Sequence, residues 1–239
     1  MLCRPDIGYA ITLLSRFAQA PQAEHYQALK GICRYLRATR DWGIVYWRPA
    51  RNPDLPVAPL SQPSDLVIDE NTFPTSNLLE LMGYVDAAHA TDPRTLRSVT
   101  GFVFCLAGGA IAYKSKLQAI VSTSSTEAEF LAAVHAGKVT KYLRYVLREL
   151  GVLLYAPTVL HIDNQAAIAM INENKPTQRS RHIDIQHFAI QEWRAAGHLR
   201  TAHIAGILNP ADQQTKALGS TLHARHAHCA MGHFGSPVR

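Results

Sequence analysis

The stretch Ser122-Thr123-Ser124-Ser125-Thr126-Glu127-Ala128-Glu129-Phe130 decides how the rest of the chain is read, because it sets two carboxylates at the head of a long helix behind a strong start signal. Ser124 and Glu127 have the spacing of a capping box, in which the hydroxyl takes one free amide of the first turn and the glutamate reaches back to another. Glu127 therefore reads as structural. Glu129 falls two positions on, about 200° around a helix of 3.6 residues per turn, inside the apolar series Ala128, Phe130, Leu131, Ala132, Ala133 and Val134. A carboxylate among core residues is costly unless it is paired or bound to a metal, so the chain must supply partners for it.

Outward from that stretch, the helix runs to Leu150, with Gly151 as its stop and Gly137 as a place to bend. Before it, Thr100 to Leu106 and Ala110 to Lys114 read as strands of a hairpin around Gly108-Gly109, and Leu79 to Asp86 reads as a strand ending in an acid. After it, Thr158 to Ile162 is an apolar strand ending at Asp163, Gln165 to Ile171 is helical, residues 180–196 form a helix and Leu199 to Ile204 a strand. Asn209-Pro210-Ala211-Asp212 starts a last helix with a good cap and Pro at its first position. The order β-β-β-α-β-α-α-β-α predicts an α/β fold, a mixed five-stranded sheet with helices on its faces.

Residues 49–78 are rich in proline and lack periodicity, so they read as a linker between a small N-terminal helical appendage, 1–48, and a main domain, 79–219. In the appendage, residues 5–20 carry Ile7, Ile11, Leu14 and Phe17 at helical spacing. A second helix runs from Pro21 to Arg40 with Tyr26, Leu29, Ile32, Cys33 and Leu36 on one side, and Gly43 to Trp47 reads as a short strand. Lys30, Arg34, Arg37 and Arg40 read as a solvated face of that second helix. Residues 220–239 read as a basic surface tail, since His223, His226, His228, Cys229 and His233 match no common zinc spacing.

The 239 residues, 47% hydrophobic, suffice for one sizeable core plus an appendage. Lys and Arg number 24 against 18 Asp and Glu, a formal charge of +6, which favours a polyanionic partner. No apolar run reaches the ~18 residues of a membrane span, and the start lacks the regions of a signal peptide; the expectation is an intracellular protein, not secreted and with no membrane partner. Cys3, Cys33, Cys105 and Cys229 have neither zinc spacing nor disulfide density, and read as buried small apolar residues in a reducing compartment.

Asp86 and Asp163 end strands that can lie side by side, Glu129 sits on the helix between them in sequence, and Asp212 opens the last helix. Each has a plain explanation on its own: a strand end for Asp86, a cap shared with Asn164 for Asp163, the favourable end of a helix dipole for Asp212. Together they predict four carboxylates at one sheet edge. That donor set suits a pair of Mg²⁺ ions, which prefer oxygen ligands and act on phosphodiesters.

The chain resembles the C-terminal part of a copia-type retrotransposon Pol polyprotein, nearly end to end. Arg4-Pro5-Asp6-Ile7-Gly8-Tyr9-Ala10, Leu14-Ser15-Arg16-Phe17 and Arg34-Tyr35-Leu36, with Thr39 and Gly43, resemble the segment that closes the reverse transcriptase. Gly83-Tyr84-Val85-Asp86, Ser98-Val99-Thr100-Gly101-Phe102, Ser124 to Phe130, Asp163-Asn164-Gln165-Ala166-Ala167-Ile168, Arg181-His182-Ile183-Asp184-Ile185 and Pro210-Ala211-Asp212 with Thr215-Lys216 resemble its RNase H domain. The resemblance implies an RNase H-like fold that cleaves the RNA strand of RNA–DNA hybrids by two-metal-ion hydrolysis. Asp86, Glu129, Asp163 and Asp212 would be the catalytic metal ligands, with two Mg²⁺, or Mn²⁺ in their place. It also implies backbone contacts from Asn164, Lys175, Arg179, Arg181 and His182, recognition of the hybrid through groove shape and 2′-hydroxyls, and a polymerase domain of the parent polyprotein as partner. The location implied is a cytoplasmic virus-like particle or the nucleus. Ala88 and His89 stand where the family has an acid and an aromatic residue. The competing reading is a non-catalytic remnant or adopted fragment that keeps the fold and binds nucleic acid.

Overall fold

The computed structural model describes residues 3–47, 80–152, 154–173 and 181–233, with the side chains of 181–184 and 187 outside that set. The proline-rich linker lies outside the described residues. Five strands, β1 (Met82–Ala88), β2 (Val99–Leu106), β3 (Gly109–Leu117), β4 (Thr158–Ile162) and β5 (Leu199–His203), form one sheet in the order β3-β2-β1-β4-β5. Pairing is antiparallel from β1 through β3 and parallel from β1 through β5. This is the mixed five-stranded sheet expected from the element order. The helices are α1 (Gly8–Ser15), α2 (Ala23–Ala38), α3 (Ser125–Glu149), α4 (Gln165–Asn172), α5 (Arg181–Ala195) and α6 (Ser220–Met231). Among the described residues no helix is long and apolar enough to cross a membrane.

Strands β1 and β2 are apolar almost throughout because both faces of the sheet are covered. On one face α3 lays Phe130, Leu131 and Val134 against Val85, Phe102, Phe104, Leu160 and Ile162, and α5 closes the layer with Ile190 and Trp193. Gly137, read as a bend, is the point of closest approach: a Cβ there would lie 2.9 Å from the Trp193 ring. Tyr84, Val103, Cys105 and Ala110 face the other way, onto Ala211 and Ala230. The β2–β3 turn has positive φ at Ala107 and Gly108, the geometry a tight hairpin requires.

Several expectations are corrected. The strand ending at Asp86 continues to Ala88, because pairing with β2 continues to Val99, and β3 runs on to Leu117. The single helix expected over 5–20 is a 3₁₀ turn, Pro5–Ile7, followed by α1. Gly43 to Trp47 is extended but not a strand; Val45 N–H donates to Met231 O at 2.8 Å and Trp47 N–H to Ala107 O at 2.7 Å, so its bonds go to a helix end and a turn. The apolar side of α2 is not a core face, for no residue of that helix is buried. Its basic residues are solvated as read. Cys105 and Cys229 are buried, whereas Cys3 and Cys33 are exposed. The helix expected at Asn209 is a 3₁₀ turn, Pro210–Gln214, separate from α6.

The His-rich segment is not a surface tail. Along α6, His226, Ala227, Cys229, Ala230 and Met231 are buried, and burial drives the His226 pKa down to about 4. The segment packs with the N-terminal elements: a ring nitrogen of His223 lies 2.9 Å from Asp6 O, and Trp47 Nε1–H donates to Gly232 O at 2.8 Å. Gly232 ends α6 at φ 72°, and a Cβ there would lie 2.3 Å from Val45 O. Asp6 is buried beneath the Arg4 guanidinium, 2.7 and 3.0 Å away.

Candidate active site

The helix start has the predicted Ser124 cap, but Glu127 reaches back past the cap residue to Thr123 instead of to an amide of the first turn. Ser124 Oγ accepts from Glu127 N–H at 3.1 Å, and Glu127 Oε2 accepts from Thr123 N–H at 2.7 Å and from Thr123 Oγ1 at 2.6 Å. The capping glutamate thus turns outward. Glu129 turns inward, 5% exposed, with Oε1 accepting from Ala87 N–H at 3.0 Å and Oε2 buried without a hydrogen-bond partner. Strand β1 sets Asp86 beside it, 2% exposed. Asp163, half-buried, directly follows β4, which runs parallel to β1.

Asp212 reaches the same place by tertiary packing. Buried Asn209 donates from Nδ2 to Val85 O at 2.8 Å and accepts Ala211 N–H at 3.1 Å, fixing the turn Pro210–Gln214 to β1 one residue before Asp86. Gly101, the β2 partner of Asp86, makes room: a Cβ there would lie 2.5 Å from Thr215 Cγ2 and 3.0 Å from Ala211 O. Thr215 Oγ1 donates to Asp86 Oδ2. Lys216 Nζ lies 3.0 Å from Asp212 Oδ1, an ion pair without an aligned hydrogen bond.

Asp86, Asp163 and Asp212 each offer an oxygen, all within 4.8 Å of one another. Crowding shows in their protonation. Burial, then the charges of Asp86 and Asp163, push Glu129 up to about 9. Burial, then Asp212, push Asp86 up to about 6. Asp163 is raised by burial and Asp86, and Asp212 by burial against the pull of Lys216. Burial alone would lower Lys216, but Asp86, Asp212 and Asp163 outweigh it and leave it raised. A bare cluster therefore takes up protons and leans on one lysine. Hard oxygen donors, packed closer than their charges tolerate and with buried oxygens lacking hydrogen bonds, fit a divalent cation such as Mg²⁺.

The predicted nucleic-acid contacts separate. Asn164 caps α4, its Oδ1 accepting Ala167 N–H at 3.0 Å. Lys175 and Arg179 lie outside the described residues. Arg181 and His182 open α5, with side chains outside that set. At the two departures, Ala88 ends β1 and a His89 ring nitrogen lies 3.2 Å from Ser122 O, next to the start of α3. Asn209, Thr215 and Lys216 were missed as site residues; the only signals were the cap position of Asn209 and the place of the other two in the Pro-Ala-Asp stretch.

The chain is 35% identical over 219 residues to the retrovirus-related Pol polyprotein from transposon TNT 1-94 of Nicotiana tabacum, a match covering 91% of this chain and 14% of that protein. To the corresponding polyprotein from transposon RE1 of Arabidopsis thaliana it is 32% identical over 218 residues, 91% of this chain and 13% of the relative. The chain thus spans about one-seventh of the length of these relatives. It is also 33% identical over 136 residues to secreted RxLR effector protein 161 of Plasmopara viticola, covering 57% of this chain and 77% of that one. Among solved structures, LC11-RNase H1 in complex with an RNA/DNA hybrid is 14% identical with a TM-score of 0.43, over 57% of this chain and 94% of that one. No protein-family profile matches the chain.

Proposed function

The chain belongs to the copia-type retrotransposon Pol polyprotein family, and from that premise we propose that it is the RNase H segment of such a polyprotein, hydrolysing the RNA strand of an RNA–DNA hybrid. The three aspartates whose oxygens lie within 4.8 Å of one another, Asp86, Asp163 and Asp212, with Glu129 next to them on Ala87 N–H and raised by the charges of Asp86 and Asp163, carry this conclusion. These four would hold the metal, with Mg²⁺ preferred and Mn²⁺ as substitute. When bound, a pair of such ions supplies charge neutralisation at the scissile phosphate and acidification of a water.

The remaining work belongs to this chain's own groups. Thr215 holds one oxygen of Asp86 and so restrains that carboxylate. Ala87 N–H does the same for Glu129. Asn209 anchors the turn that presents Asp212, and Lys216 offsets the excess negative charge at the rim. Hybrid recognition would rest on groove shape and 2′-hydroxyls. The polymerase domain of the polyprotein is the partner that would deliver the hybrid.

A cleavage assay tests this, using the full chain and a hybrid labelled on each strand, in Mg²⁺, in Mn²⁺ and in chelator. The expected result is shortening of the RNA strand alone, abolished by chelator and by Asp163→Asn. A folded wild-type chain that cleaves with neither metal would overturn the proposal in favour of a remnant that only binds.

A further inference from the structure

Away from the carboxylates, the free edge of the sheet and the first half of α3 enclose a cleft of about 460 Å³. It is lined by the apolar Leu117, Ile120, Leu131 and Val134 and by two lysines, Lys116 from β3 and Lys138 from α3, together with His135, which burial and its lysine neighbours keep neutral. Lys114, two residues before Lys116 and on the same face of the strand, puts Nζ 3.4 Å from His135 Nε2. Among the described residues no carboxylate forms an ion pair with any of these lysines. Every charge bearing on His135 is positive, from Lys114, Lys116 and Lys138. Three ammonium groups gathered on two rigid elements repel one another, and an anion seated among them would relieve that repulsion.

The position of the cleft says which anion. Lys116 pairs with Thr100 on β2, and Thr100 pairs with Ala87, the neighbour of Asp86. The Lys116 backbone is thus two strand spacings, about 10 Å, from that of Ala87, at the same end of the sheet as the carboxylates. Gln118 ties the two places together, donating to Thr100 Oγ1 at 3.0 Å and to Ala128 O, the residue before Glu129, at 2.9 Å. That separation is small enough for one nucleic-acid strand to reach both places within a few nucleotides.

We propose that this cleft is a second anchor for the nucleic-acid backbone, in which Lys116 and Lys138 hold a phosphodiester group a few nucleotides from the one bound at the carboxylates. The proposal rests on the hybrid-cleaving reading. It assigns these lysines to positioning the strand: they contact phosphate, carry no base preference and do not touch the reacting atoms.

The test compares the full wild-type chain with the double variant Lys116→Gln, Lys138→Gln, measuring hybrid affinity by fluorescence anisotropy in chelator over a salt series. Each lost phosphate contact lowers the log–log salt slope by about 0.9, so the expectation is a slope lower by about one to two and binding several-fold weaker at low salt, with melting temperature unchanged or raised. A control variant, Arg40→Gln with Arg148→Gln, removes the same charge from exposed pairs elsewhere and should leave the slope unchanged. An unchanged slope in the cleft variant, or an equal fall in the control, overturns the proposal. A second readout is independent of hybrid: the His135 ring resonances should move on titration with inorganic phosphate in the wild type and not in the cleft variant. If they stay still in the wild type, the cleft is no anion site. If the wild type shows no hybrid binding while His135 responds, the hybrid-cleaving reading fails and the cleft stands as an anion site alone.

Discussion

Replacing Glu129 by Gln in the metal-free chain should stabilise the fold, and the size of the effect should depend on pH. In the folded chain burial and the neighbouring carboxylates push Glu129 up to about 9, against 4.5 when it is unfolded and solvated. Between those values the unfolded chain has lost the proton while the folded chain keeps it. Stability therefore falls as pH rises from about 4.5 to about 9. At about pH 7.5 the gap from the ordinary value is some three pH units, each worth about 1.4 kcal/mol, a penalty of about 4 kcal/mol at most. Gln keeps the acceptor for Ala87 N–H, supplies donors in place of the orphaned Oε2, and has no proton to lose. Urea unfolding in chelator, from pH 4.5 to 9, should show the two proteins nearly equal at the acid end and Glu129→Gln more stable by about 1–4 kcal/mol near neutrality. Mg²⁺ should reverse the order, because a cation rewards the wild-type carboxylate. A variant less stable than wild type at neutral pH in chelator, by a margin that does not change with pH, would refute the charge-crowding account.

Ser124→Ala and Glu127→Ala should each cost about 1 kcal/mol in urea unfolding, as loss of a helix cap does, with hybrid cleavage retained; inactivation of a folded Glu127→Ala chain would show the two glutamates assigned the wrong way round. Asn209→Ala strands Val85 O and Ala211 N–H in the interior, so it should cost about 1–3 kcal/mol and weaken metal binding by loosening the turn that bears Asp212. Lys216→Met removes the cation from the cluster rim; the metal-free chain should melt lower near neutral pH and the Mg²⁺ midpoint for thermal stabilisation should move to lower concentration, whereas an unmoved midpoint would exclude a role for that ammonium. A chain starting at residue 76 loses Pro5 O, the acceptor of buried Gln214 Nε2–H, and the Val45 and Trp47 bonds to Met231 and Ala107. It should melt lower than the full chain, and equal melting temperatures would show the N-terminal segment to be dispensable.

Much of the fold was legible because its main signals are local. Short apolar runs bounded by turn residues gave β1, β2, β4 and β5 to within a few residues, and the Ser124 cap signal fixed the start of α3 at Ser125. The same locality made Asp86, Glu129 and Asp163 readable, since each sits at or near an element end whose position the pattern sets. Where the reading failed, the deciding interaction lay far away in sequence. Val45 and Trp47 spend their amides on Met231 and Ala107, so a segment with strand composition forms no strand. His226 looks like a surface residue in sequence, yet α6 buries it under the sheet with neither ring nitrogen bonded among the described residues.

That contrast bears on the site itself, because its acids are held by rules of two kinds. Glu129 and Asp86 are placed by backbone periodicity and need only a correct helix start and strand register. Asp212 is placed by a short 3₁₀ turn that has little stability of its own. What holds that turn is Asn209 bonded to β1, Thr215 bonded to Asp86, a glycine at 101 that lets the backbone close in, and Gln214 reaching to Pro5 beneath it. Those props rest on three different parts of the chain, β1, β2 and the N-terminal segment, so the fourth carboxylate is the one most exposed to changes elsewhere. Loosening any prop frees Asp212 and Lys216 together, and the cluster then loses a ligand and its counter-charge in the same movement. The N-terminal segment is thereby tied to the turn that bears Asp212, with the Gln214 bond to Pro5 O as one of the links.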